Sequence, residues 1–181
     1  MGSHCPRPYV LGMNDSSDEH PLLGHLRREH ETLRPHLDSI LLAARAVGVV
    51  PVPVLRGMTA GVLGFLSREL EPHARVEDLV IYPAIDAALG ADGATDTMRR
   101  DHTEVGRYIQ RLSDLQGTLM LAHEPSAETL DELRHVLYGL HAIVDLHFAK
   151  EEEVHGSVLS ERLAPAEQRL LLDRLQEHAN H

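Results

Sequence analysis

From about residue 18 onward, apolar side chains recur every three to four positions. That is the period of α-helices that bury one face each. The first stripe is Leu22, Leu23, Leu26, Leu33, Leu37, Ile40, Leu41 and Ala44. Gly48 ends it, and Pro51 and Pro53 mark a turn. A second stripe runs Val62, Leu66, Leu70, Val76 and Val80, with Pro72 inside it and Pro83 just beyond. An interior proline removes one backbone bond and crowds the preceding turn, so the pattern predicts a kink at Pro72 and a second bend at Pro83. The segment 89–95 (LGADGAT) is turn chemistry. Met98, Val105, Ile109, Leu112 and Leu119 form a third stripe, stopped by Glu124, Pro125 and Ser126. Ser126 is suited to cap a fourth helix whose stripe is Leu130, Leu133, Leu137, Leu140, Val144 and Phe148. Pro165, a good first-turn residue, opens a short fifth segment carrying Leu170, Leu171 and Leu175.

Four long helices with short connections predict an all-α fold, an up-down-up-down four-helix bundle over residues 18–160. Residues 161–181 form a short extra C-terminal helix packed on or trailing the bundle. Residues 1–17 hold Pro6, Pro8, Gly12, Asn14 and two serines with little periodicity, and read as a flexible leader. Composition agrees. Aromatics are 3 % of the 181 residues, with no Trp and two Phe. Leu, Val, Ile and Ala must then build the core, a palette suited to helices packed on helices.

Charge narrows the function. Against 28 acidic residues stand 17 basic ones, for a formal charge of −11. Non-specific nucleic-acid binding relies on Lys and Arg against phosphates, so a nucleic-acid partner is not expected. No apolar run approaches the roughly 20 residues of a membrane span, and no signal peptide is evident. The expectation is a cytoplasmic protein without membrane contact. The single cysteine, Cys5, builds neither a disulfide framework nor a thiolate zinc site.

Histidine is in surplus, at 14 residues. Residues four apart share a helix face, with Cβ atoms about 5–6 Å apart. His73/Glu77 and His147/Glu151 have this spacing, and each pair is followed by a further acid, Asp78 or Glu152. The arrangement repeats: a helix with an inward histidine (His30, then His102) precedes a helix with His-x-x-x-Glu. At 100° per residue, His30, His73, Glu77, His102, His147 and Glu151 all fall on the buried stripes. Burying six ionisable groups without partners would cost several kcal/mol each. A metal removes that conflict, because neutral imidazoles and ionised carboxylates become its ligands. His25/Glu29 has the same spacing, but His25 and His36 point off the first stripe and read as surface residues. His141 lies at a stripe edge. His155 and Glu69 stand one turn from candidate ligands; Glu69 reads as a solvated acid.

Nitrogen and carboxylate oxygen without thiolate suit iron, manganese or zinc. Four histidines and two glutamates are too many for one tetrahedral zinc, whereas two ions bridged by two carboxylates use them all. A ferritin-type site wants Glu-x-x-His on two helices. Here Glu132/His135 and Glu152/His155 both lie on the fourth.

Four segments, REHETLRPHL around His30, EPHARVEDLVIYP around His73, RRDHTEV around His102 and DLHFAKEEE around His147, resemble the hemerythrin-like (HHE cation-binding) family over roughly residues 20–160. The resemblance implies two iron ions with an oxo or hydroxo bridge. His30 and His73 would hold one, His102 and His147 the other, and Glu77 and Glu151 would join them. It also implies a small partner: dioxygen, nitric oxide or hydrogen peroxide, the last with catalase-like decomposition. Iron sensing or storage without turnover is the alternative. The oxygen carriers of that family have a further histidine one turn after the third-helix ligand. That position here is Gly106, which implies a more open centre. Tyr82, Tyr108 and Tyr138 do not lie clearly on the stripes, so none is named in its place.

Overall fold

A computed structural model describes residues 20–179 of the chain. The expected leader at 1–17, with Cys5, lies outside the described residues. Those described are helical, with no strand among them. Helix α1 spans Pro21–Ala46; α2 runs through residues 52–89; α3 spans Asp96–Leu121; α4 runs through residues 127–162; and α5 spans Pro165–Ala179. None of these helices is long and apolar enough to cross a membrane.

Helix α1 packs on α2 and α4, and α3 packs on the same two neighbours. Side chains bind the ends together. Arg56, near the start of α2, donates to the Leu119 and Ala122 carbonyls at the end of α3. Arg134, early in α4, donates to the Val47 carbonyl just past α1. Helix α5 lies against α1 and α2. Its Gln168, fully buried, donates to the Leu159 and Leu163 carbonyls and accepts from the Leu22 amide.

Local chemistry explains the boundaries. Gly48 takes a φ of 76° after α1, and Gly90 a φ of 63° after α2, both in the left-handed region that favours glycine. Ser126 caps α4 by accepting from the Thr129 amide at 3.1 Å, as its position predicts.

The prolines in α2 do not break it. The chain continues as helix through both Pro72 and Pro83. Each sits just after a wider π turn, Leu66–Leu70 or Glu77–Ile81. There the amide five residues on, rather than four, closes the ring: Glu71 to the Leu66 carbonyl, Tyr82 to the Glu77 carbonyl. The widened turn accommodates the ring and the missing N–H that would otherwise break the helix. A third π turn, Glu151–His155, lies in α4. Two of the three π turns thus begin on a candidate bridging carboxylate, and such turns are frequent at functional sites.

The core has two parts. One cluster includes Leu33, Leu37, Leu70, Val105, Leu140, Val144 and Phe148. The other includes Leu22, Leu26, Val80, Tyr82, Met98, Leu159, Leu171 and Leu175. Along the helices, His30, His73 and His102 each fall between residues of the two clusters, and His147 lies beside Phe148. A polar layer is therefore set between two apolar ones.

Candidate metal centre

All six sequence-derived candidates meet in that layer. His30 is fully buried, and His147, Glu77 and Glu151 are nearly so. They form two overlapping groups whose ligand atoms lie within 4.8 Å of one another: His30, His73, Glu77 and Glu151, and then Glu77, His102 and His147.

Each carboxylate spans the groups. Glu77 puts Oε1 3.1 Å from His73 Nε2 and Oε2 3.4 Å from His102 Nε2. Glu151 puts Oε2 3.2 Å from His30 Nε2 and Oε1 3.4 Å from His147 Nε2. These are close approaches that make few hydrogen bonds. His30 Nε2, His73 Nε2, both oxygens of Glu77 and Oε2 of Glu151 are buried without a hydrogen-bond partner. Buried polar atoms are rarely left so. Two donor atoms each about 2.1 Å from a shared cation, at right angles, stand about 3 Å apart. The observed separations fit that arrangement, so the donor set suits a cation in each group.

The outer imidazole nitrogens have a matching pattern. His30 Nδ1 faces Glu152 at 2.8 Å, His73 Nδ1 faces Glu29 at 3.3 Å, His102 Nδ1 faces Asp78 at 3.2 Å, and His147 Nδ1 faces Asp101 at 3.2 Å. A carboxylate hydrogen-bonded to the far nitrogen, as at His30 and His147, fixes the tautomer and turns Nε2 inward, whereas His102 Nδ1 faces Asp78 without a hydrogen bond. The supports cross between helices in a regular way. The acid just before His30 holds His73, and the acid just before His102 holds His147. The acids just after Glu77 and Glu151 hold His102 and His30. Asp78 and Glu152 stand out in the sequence as acids after the glutamates; Glu29 reads there only as the partner of His25, and the signal for it and for Asp101 is an acid directly preceding His30 and His102. Three of the four acids have a permanent cation behind them: Arg34 at 2.9 Å from Glu152, Arg99 at 3.4 Å from Asp78, and Lys150 on Asp101. Phe148 stacks on the His30 ring with centroids 4.1 Å apart, closing the apolar side.

Tyr82 is the functional residue that sequence periodicity hid. It is fully buried, and its hydroxyl donates to Glu151 Oε1 at 2.6 Å. The phenol oxygen itself is 3.1 Å from His147 Nε2 and 3.4 Å from His102 Nε2. A uniform 3.6-residue wheel turns Tyr82 away from Glu77. The π turn places it one wide turn beyond Glu77 instead, and so inside. Gly106, by contrast, is exposed, and a Cβ there would meet nothing within 4 Å. The phenol of Tyr82 stands beside His102 and His147.

The remaining histidines sort as follows. His36 is exposed, pairs with Glu69 at 3.6 Å and stacks on Phe65. His25 is half-buried rather than a plain surface residue and lies 3.5 Å from Glu29. His141 is half-buried. His155 stands edge-on to the Tyr82 ring at 6.0 Å, and burial pushes its pKa down.

Electrostatics bind the layer together. Burial opposes charge on His73, but the carboxylates of Glu77 and Glu29 outweigh it and hold its pKa well above the usual imidazole range. Burial likewise opposes charge on His147, whose pKa is nevertheless raised by Glu151, Glu77 and Asp101. Glu151 is buried too, yet His147, His30 and Tyr82 keep its carboxyl well below the ordinary value. Burial first, then the charges of Glu77 and Glu151, push the Tyr82 phenol far upward, so it stays a proton donor. Without a cation the cluster keeps protons where a cation would put positive charge.

The sequence profile of the hemerythrin HHE cation binding domain matches residues 21–154. The chain belongs to this hemerythrin family. Over 94 residues it is 29 % identical to the iron-sulfur cluster repair protein DnrN of Neisseria gonorrhoeae, an alignment covering 51 % of this chain and 60 % of the relative. The chain thus spans less than two thirds of that relative's length. No solved structure matches it.

Proposed function

We propose that this hemerythrin-family chain is an up-down-up-down four-helix bundle holding two iron ions, bridged by Glu77 and Glu151, and that the centre binds and reacts with dioxygen, hydrogen peroxide or nitric oxide. The observation that carries this reading is the pair of donor groups sharing Glu77, with buried donor atoms left unpartnered. His30 and His73 hold one ion; His102 and His147 hold the other. Bound iron supplies open positions for a small ligand and the electrons to reduce it. The chain's own residues set the surroundings. Glu29, Asp78, Asp101 and Glu152 orient the imidazoles. Phe148 and the flanking leucines exclude water. Tyr82 holds a proton on its hydroxyl beside Glu151, ready for a reduced oxygen or nitrogen ligand.

The test is peroxide consumption by iron-loaded protein beside a His73→Ala control. Faster loss with the unaltered chain supports turnover, and equal rates rule out di-iron peroxide chemistry. A second reading is iron sensing or storage without turnover; the Neisseria relative, named for iron-sulfur cluster repair, is likewise an iron-related protein. In that case iron raises the melting temperature, since a ligand that binds only the folded state stabilises it, while peroxide is left untouched.

A further inference from the structure

The two ends of the centre are walled differently, although His73 and His102 are about equally buried, at 8 % and 10 % exposed. Between α1 and α2, bounded by Leu175 and Gln176 of α5, lies a cavity of about 810 Å³. Its wall includes His73 and Glu77, whose side chains are 8 % and 2 % exposed. Each aims unpartnered polar atoms into the centre. At the other end, the phenol of Tyr82 stands against His102 and His147, whose Nε2 atoms are 2.9 Å apart.

The cavity wall also carries the third His-x-x-x-Glu pair of the sequence, His25 and Glu29. Glu29 is built differently from the other three supporting acids. Its side chain is 43 % exposed, and its two ion-pair partners are imidazoles. Oε1 lies 3.5 Å from His25 Nε2, and Oε2 lies 3.3 Å from His73 Nδ1. One carboxylate thus faces an outer histidine on one side and a candidate ligand on the other. Glu69 and Glu71 also line the cavity. Arg68, a cation on the same wall, lies over Gly64, where an added Cβ would stand 2.7 Å from its guanidinium.

We propose, resting on the di-iron reading above, that this cavity is the path by which iron enters and leaves. His25 and Glu29 form a transfer site, a nitrogen and a carboxylate that take a hydrated ferrous ion before His73 and Glu77 do. A half-exposed carboxylate paired with imidazoles turns outward at lower cost than one pinned by a guanidinium. The ion between His30 and His73 is therefore the one that exchanges through this cavity, ahead of the ion beside Tyr82.

Two variants leave all six candidate ligands and their four supporting acids in place. Ser67→Trp fills the cavity from an exposed wall position, and His25→Ala removes half of the transfer site. The measurement is anaerobic uptake of ferrous iron by metal-free full-length chain, followed by release to a chelator, with final iron content read by elemental analysis. An entry path that is blocked slows loading without altering the site. Uptake and release are expected to slow about tenfold in Ser67→Trp and about threefold in His25→Ala, with final iron content unchanged. Release from the unaltered chain is expected in two phases of equal size. Full loading at unaltered rates in both variants overturns the path alone. Failure of the unaltered chain to take up iron overturns the di-iron reading and the path with it.

Discussion

The two halves of the centre share a plan and differ in how firmly it is held. In each half a helix presenting an acid and a histidine in succession meets a helix presenting His-x-x-x-Glu and a further acid. The α3/α4 half is locked. Asp101 is anchored by Lys150, Asp78 by Arg99, and Tyr82 stands against both imidazoles. The α1/α2 half is looser at His73 alone, for His30 is fully buried against Glu152, itself backed by Arg34. His73 leans on the half-exposed Glu29, and a cavity reaches its side chain. Equal donors on unequal supports give two cation sites of unequal exchange, a difference that counting ligands does not show.

The largest expected effect comes from the residue common to both donor groups. Glu77→Ala removes an oxygen from each. Bound iron is expected to fall from about two per chain to well below one. Retention of one tightly held ion would show that the halves are independent.

The supporting acids come next. Loss of such a partner weakens metal binding about 10–100-fold. Asp101→Asn is expected near the top of that range and Glu29→Gln near the bottom, read by competition with a chelator. Equal losses would abolish the contrast between locked and loose halves. Tyr82→Phe keeps the ring and removes the hydrogen bond to the buried Glu151 carboxylate. It is expected to destabilise the metal-free chain by about 1.5–3 kcal/mol in denaturant titration. An unchanged midpoint would mean that the phenol does not hold the locked half together.

That residue also marks where the sequence was and was not legible. Six polar groups on four apolar stripes, spaced alike in two halves, named the layer and the helices that build it. The supports Asp78 and Glu152 were visible as acids following the glutamates. Glu29 and Asp101 were overlooked because each sits beside a histidine of its own helix but serves one on the next. Such a crossing appears only when the helices are packed. Tyr82 was hidden for a local reason: the π turn at Glu77–Ile81 slips the helical phase, and a wheel at constant pitch cannot follow it. The same turn accounts for Pro83 bringing no break. Gly106 brings no side chain to the layer, and a Cβ there would meet open space.

The pH response follows from the raised imidazoles of His73 and His147. Their folded values lie above the unfolded value of about 6.5, so their contribution to metal-free stability is full below about pH 6.5. It is lost as pH rises through the folded values. A bound cation has the opposite preference, since it requires neutral imidazoles. The difference in melting temperature between iron-loaded and metal-free protein is expected to widen from about pH 6.5 to about pH 8. A constant difference would mean that these histidines do not give up protons to the cation.

The smallest effect concerns Gly106. Gly106→Ala is expected to stabilise α3 by about 0.5–1 kcal/mol, with iron content and chelator competition unchanged. Altered iron binding would return Gly106 to the site.

The central claim is that Glu77 and Glu151 join two iron ions in one buried layer. Elemental analysis of the iron-supplemented chain, paired with its optical spectrum after oxidation, tests this most directly. The account predicts about two irons per chain, one per donor group, with the absorption of a bridged ferric pair. Fewer than one bound transition metal per chain would contradict it.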